Sequence, residues 1–153
     1  MKIATLRVDG ASRGNPGAAG IGVVISDERG AKVAEISEYI GNTTNNVAEY
    51  TALVRGLQEA IRLGAISVRI FADSELLVRQ VTGAYKVKAA HLRPLYEAAV
   101  GLLSKFRDAT IVHVPREENA DADKLASQAA KTRKSTPQPH APSPDKSQQT
   151  MGF

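Results

Sequence analysis

Two short apolar runs, far apart in the chain, each end on an aspartate, and no other feature restricts the fold as much. The first, Ile3 to Val8, delivers Asp9 into the segment Gly10-Ala11-Ser12-Arg13-Gly14-Asn15-Pro16-Gly17. The second, Ser67-Val68-Arg69-Ile70-Phe71-Ala72, delivers Asp73. In the first run Ala4, Leu6 and Val8 share one face and Ile3, Thr5, Arg7 and Asp9 the other, the alternation of a strand. The glycines and the proline that follow tolerate or preset the backbone angles of a tight loop. A single Asp-Gly after a strand usually marks only a turn. A second strand that also ends on a carboxylate makes the pair informative.

The rest of the chain fits around these two runs. Ile21 to Ile25 reads as a second strand, Asp27-Glu28-Arg29-Gly30 as a hairpin-type turn and Lys32 to Ile40 as a third strand, giving an antiparallel meander. A polar loop, Gly41 to Asn46, supplies N-cap residues for a helix expected from about Val47 to Leu63, stopped by Gly64. Leu53, Leu57 and Ile61 mark its inward face, and Glu49, one turn before Leu53, points the same way. Carboxylates are seldom placed there without a partner. After Asp73 come a short helix, Glu75 to Thr82, and a basic connector, Tyr85-Lys86-Val87-Lys88. A longer helix is expected over Ala89 to Phe106, with an apolar stripe from Leu92 to Phe106. A fifth strand, Thr110 to Val114, ends at Pro115, and a last helix, Ala120 to Ala130, has Asn119 as its cap and Asp123 in its first turn.

A right-handed crossover through the first helix makes the first and fourth strands parallel. Asp9 and Asp73 then share one sheet edge, and Glu49 points toward it. The expected architecture is α/β, a five-stranded mixed sheet with three antiparallel strands plus two parallel, flanked by helices.

The length of 153 residues suits one domain with a sizeable core. No apolar run approaches the roughly 20 residues of a membrane span. Met1-Lys2-Ile3 leads directly into the first strand, so no signal peptide and a cytoplasmic location are expected. The absence of cysteine removes disulfides and thiolate metal sites. The net charge of +4 comes mostly from the end of the chain, where Lys131, Arg133, Lys134 and Lys146 face a single acid, Asp145. Net charge is therefore no argument for a nucleic-acid partner. Beyond Lys131, Pro137, Pro139, Pro142 and Pro144 alternate with polar residues, which cannot offset their ordering entropy by burial. The expected organisation is a folded domain over residues 1–131 and a disordered tail over 132–153.

Converging carboxylates repel, and one must take up a proton unless a cation neutralises the group. With oxygen donors alone, such a cluster suits Mg²⁺ or Mn²⁺. Two such ions about 4 Å apart clamp the attacking and leaving oxygens of a phosphodiester. Any one of these acids, taken alone, is more ordinarily a cap, a turn residue or an ion-pair partner. Their placement at element ends that meet is what favours a cation site.

Four motifs carry a family resemblance over about residues 1–130. They are Asp9-Gly10 with Ser12-Arg13-Gly14-Asn15-Pro16-Gly17; Thr44-Asn45-Asn46-Val47-Ala48-Glu49; Asp73-Ser74; and Arg116-Glu117-Glu118-Asn119-Ala120-Asp121-Ala122-Asp123-Lys124-Leu125-Ala126. In that order, on those strand ends and helix starts, the chain resembles a type 1 ribonuclease H. The resemblance implies the ribonuclease H-like fold and a catalytic set of Asp9, Glu49, Asp73 and Asp123 holding two Mg²⁺ ions, for which Mn²⁺ may substitute. By the same resemblance Asp9 bridges both ions, Asp123 holds the water-activating ion, and Glu49 and Asp73 the ion beside the leaving 3′ oxygen. Asp123 is preferred to Asp121 by its spacing from Asn119. The implied reaction is endonucleolytic hydrolysis of the RNA strand of an RNA–DNA hybrid, leaving 5′-phosphate and 3′-hydroxyl ends. The alternatives are a broader nuclease that also cuts double-stranded RNA and a catalytically silent hybrid-binding module.

The 2′-hydroxyl distinguishes RNA from DNA along the shallow minor groove. Gly10, Ser12, Asn15, Asn45, Asn46 and Ser74 are candidates for reading that groove, and Arg13 and Thr44 for contacting phosphate. Helix capping is the plainer role for the Asn45–Asn46 pair. Tyr85, Lys86 and Lys88 either line a channel for the DNA strand or form a solvated connector. Three departures from the family pattern stand out. Gly83 to Lys88 is too short for the basic protrusion many members carry. The mobile histidine before the last motif is missing, since His113 reads as a buried strand residue, which leaves Arg116 or Glu117 in its place. Glu75 stands where relatives have a neutral side chain, and an acid there repels phosphate unless paired.

Overall fold

The computed structural model describes residues 1–136. The five strands are β1 (Ile3–Gly14), β2 (Gly17–Ser26), β3 (Lys32–Thr43), β4 (Ser67–Ala72) and β5 (Asp108–His113). They form one sheet in the order β3-β2-β1-β4-β5. β1 pairs antiparallel with β2 and parallel with β4, β2 pairs antiparallel with β3, and β4 pairs parallel with β5. This is the expected mixed sheet. β1 and β2 are longer than expected: the glycine-rich segment is not a loop but a continued ladder, from Gly10↔Ile21 to Gly14↔Gly17. Pairing satisfies the backbone groups of residues 10–14, so the turn shrinks to Asn15 and Pro16.

Thr44 caps α1 (Asn45–Arg62), its hydroxyl accepting the Val47 N–H at 3.3 Å. Tyr50, Leu53, Leu57 and Ala60 are fully buried, whereas Ile61, expected on the inward face, is 37% exposed. The helix rolls so that Ala60 takes that place. α2 (Glu75–Val81) is capped by Ser74. α3 (Arg93–Leu103) is shorter than the expected helix. Pro94 in its first turn has no N–H to continue a helix backward, yet Leu92 and Phe106 on either side remain buried. α1 and α3 pack together on one face of the sheet; α4 (Ala120–Thr132), reached through a 3-10 turn at Arg116–Glu118, covers β1, β2 and β3 on the other.

α4 lies unusually close to β2. A Cβ on Gly22 would stand 2.7 Å from the Ala126 nitrogen, and one on Gly20 2.6 Å from that of Ala130. The helix meets this strip with Ala122, Ala126, Ala129 and Ala130, all buried. Small residues on both surfaces let the two backbones approach.

At the outer edges of the sheet the structure departs again from the sequence expectation. Ser135 and Thr136, assigned to the tail, lie on the open edge of β3: Tyr39 donates its N–H to the Ser135 hydroxyl at 3.0 Å, and Thr136 donates to the Ser37 carbonyl at 2.9 Å. The expectation of disorder over 137–153 lies outside the described residues. His113 is exposed rather than buried, because β5 is the outermost strand.

Candidate active site

The parallel register sets the site. Val8 lies opposite Ala72, so Asp9 and Asp73 emerge side by side from β1 and β4. The first turn of α1 crosses β1 at Gly10 so closely that a Cβ there would stand 2.5 Å from the Glu49 nitrogen. Without a side chain there, the Gly10 N–H donates to Asp9 Oδ1 and to Glu49 Oε1, both at 3.0 Å. Carboxylate oxygens of Asp9, Glu49 and Asp73 all lie within 4.8 Å of one another. Asp123 approaches from α4, near enough to Asp9 to help raise its carboxyl. It lines, with Gly10, Ala11, Ser12, Asn45, Glu49, Arg116 and Ser127, a cleft of about 330 Å³.

Asn119 fixes where Asp123 stands. It is fully buried, and its Nδ2 donates to the Val8 carbonyl at 2.9 Å, one residue before Asp9. Expected as a helix cap, its side chain caps nothing in α4. It ties the start of the helix to β1, and Asp123 follows one turn later.

Burial and crowding raise two of the acids. Asp9 is 3% exposed. Burial first, then the charges of Glu49, Asp73 and Asp123, push its carboxyl up to about 10. Burial and the charge of Asp73 push Glu49 up to about 8, against the lowering effect of the Gly10 N–H, a hydrogen bond from Asp9 and the charge of Arg116. Asp73 Oδ2 is buried without a hydrogen-bond partner. Converging oxygen donors, two with carboxyls pushed up by burial and crowding and one buried oxygen unpartnered, fit a hard divalent cation: it would offset the crowded charge and satisfy the orphan oxygen.

The other expected site residues divide by position. Gly10, Ser12 and Asn45 line the cleft. The Ser12 hydroxyl donates to the Gly14 carbonyl and, at 2.9 Å, to that of Thr43. Asn15 accepts the Asn45 N–H at 3.0 Å, locking the hairpin tip to the start of α1. Thr44 and Ser74 use their hydroxyls as helix caps. Asn46 is exposed outside the cleft lining, and Arg13 faces a neighbouring groove. Tyr85, Lys86 and Lys88 do share a groove, joined by Arg93 and Tyr96. Glu75 is paired with Arg79 at 2.8 Å, so its charge is not free. Arg116 enters the cleft while His113 and Glu117 do not line it. The sequence reading passed over Ser127, although its spacing of four from Asp123 puts it on the same helix face.

The reverse transcriptase-like family profile matches residues 7–129. A bifunctional protein of Mycobacterium tuberculosis is 45% identical over 130 residues, covering 84% of this chain and 35% of that protein. The chain thus spans about a third of that relative. Ribonuclease HI of Halobacterium salinarum is 45% identical over 121 residues, 79% of this chain and 61% of the relative. A ribonuclease H1 isolated from compost, solved in complex with RNA/DNA hybrid, is similar in structure. Its TM-score is 0.80 at 44% identity, over 85% of this chain and 98% of that one.

Proposed function

From the premise that this chain belongs to the ribonuclease H branch of the reverse transcriptase-like family, we propose that it cuts the RNA strand of RNA–DNA hybrids endonucleolytically in the cytoplasm. The observation that carries this reading is the meeting of Asp9, Glu49 and Asp73, from β1, α1 and the end of β4, with carboxylate oxygens within 4.8 Å of one another, beside a cleft that Glu49 lines together with Asp123 of α4.

Asp9, Glu49, Asp73 and Asp123 would hold two Mg²⁺ ions, with Mn²⁺ able to substitute. When bound, such ions activate water and stabilise the charge on the attacking and leaving oxygens. The protein's own part is to fix the acids. The Gly10 amide spaces Asp9 and Glu49, the β1–β4 register places Asp73, and Asn119 seats Asp123. Water adds to the phosphorus and the bond to the 3′ oxygen breaks, leaving 5′-phosphate and 3′-hydroxyl ends. The Gly10 backbone, Ser12 and Asn45 are placed to meet the ribose edge of the RNA, where the 2′-hydroxyl separates RNA from DNA. Residues 1–131 are the catalytic unit in this reading, and 132–153 are dispensable for turnover.

A labelled RNA–DNA hybrid, incubated with Mg²⁺ or Mn²⁺ beside an Asp9→Asn control, tests the proposal, with double-stranded and single-stranded RNA in parallel. Cleavage of only the hybrid's RNA strand, lost in the variant, is the expected result. Cutting of double-stranded RNA as well would replace hybrid specificity by a broader nuclease. Hybrid binding with no cleavage in either metal would make the chain a silent binding module.

A further inference from the structure

We propose that the groove beside the cleft, between the tip of the β1–β2 hairpin and the exposed face of α4, is a track for the sugar-phosphate backbone of the strand being cut. The proposal rests on the ribonuclease reading above and extends it to residues outside the four acids. The groove has a volume of about 590 Å³, and Arg13, Lys124, Gln128 and Lys131 line it. Asp123 and Ser127 line both this groove and the catalytic cleft, so one runs into the other.

The charges are arranged for a polyanion. Arg13, Lys124 and Lys131 are exposed, and none has an ion-pair partner among the described residues. Asp123, at the junction with the cleft, is the one acid lining the groove. Lys124, Gln128 and Lys131 recur at helical spacing on one face of α4. From the first to the last is roughly 10 Å at 1.5 Å per residue. The lysine and arginine stems give sugars an apolar wall while their heads reach phosphates. Gln128 and Ser127 add neutral donors. Contacts of this kind hold a strand in register without reading bases.

A comparison within the molecule supplies the control. At the opposite sheet edge, Lys2 and Arg107 line a groove together with Asp108. Binding of the full-length chain to an RNA–DNA hybrid is measured in EDTA over a range of salt, for the unmodified protein, Lys124→Gln/Lys131→Gln and Lys2→Gln/Arg107→Gln. Each phosphate contact contributes a slope of about 0.9 in log K against log salt. The groove variant is expected to lower the slope by roughly 2, and Lys131→Gln alone by roughly 1, with the control unchanged. Melting curves run alongside check that each variant is folded. Equal slopes for the groove and control variants, or no change in either, would overturn the proposal. The ribonuclease reading fails separately, by absence of cleavage in the unmodified protein. A lowered slope in the groove variant would then still place a nucleic-acid backbone here.

Discussion

The single N–H of Gly10, shared by two carboxylates at 3.0 Å each, spaces the acid pair through the backbone rather than through other side chains. Burial and the neighbouring acids both oppose ionisation of Asp9, so replacing it has two opposite effects. Asp9→Asn should reduce hydrolysis by at least about 100-fold, since stabilisation of transition-state charge by bound ions is worth several kcal/mol. In metal-free buffer near neutral pH the same variant should melt at a higher temperature, because the chain no longer has to take up a proton on a buried carboxyl in order to fold. Steady-state assays and a thermal melt read the two effects; a lower melting temperature would make the acid pair structural. Asn119→Ala acts differently. It strands the buried Val8 carbonyl and opens a small cavity, costing about 2–3 kcal/mol in a urea titration. Because Asn119 seats α4, turnover should fall as well, although Asn119 touches no substrate.

Among the elements, the contact of α4 with β2 is the least forgiving. Gly22→Ala would put a methyl carbon 2.7 Å from the Ala126 nitrogen and lift the helix that carries Asp123. Overpacking of this kind costs about 1–3 kcal/mol, measurable as a lower denaturant midpoint, and hydrogen exchange should quicken selectively in α4. Most elements were legible in the sequence, because alternation marks strands and because glycines and capping residues mark where helices start and stop. The sequence frame favoured Asp123 over Asp121, and the structure sets Asp123 half-buried in the cleft while Asp121 is exposed. Other features were not legible because distant partners decide them. Residues 10–14 read as a loop by composition, yet β2 pairs them. His113 sits in an apolar pattern, but no local signal says that β5 is outermost. Asn119 looked like a cap because its partner, Val8, lies 111 residues away. Ser135 and Thr136 have tail-like neighbours and find order only on the edge of β3.

For the molecule as a whole, the acid cluster makes stability depend on pH and metal together. The folded-state values for Asp9 and Glu49, about 10 and 8, lie above their ordinary values of 3.8 and 4.5. Between those limits the folded chain binds more protons than the unfolded one, so stability falls as pH rises. In EDTA the melting temperature should drop steadily from about pH 4.5 to 8 and more gently to about pH 10. Mg²⁺ should flatten the decline, because cations compete with these protons and bind best once they have left. A melting temperature independent of pH in EDTA would remove the electrostatic account of the cluster. The placement of α4 also bears on how far the chain can be shortened. Asp123 and Asn119 belong to the last of its helices and strands among the described residues, and Asn119 must reach back to β1 to be seated. α4, the last helix among the described residues, both covers the glycine strip of β2 and carries Asp123, so a chain cut before Ala120 would leave that strip bare and lack the acid that α4 brings to the cleft.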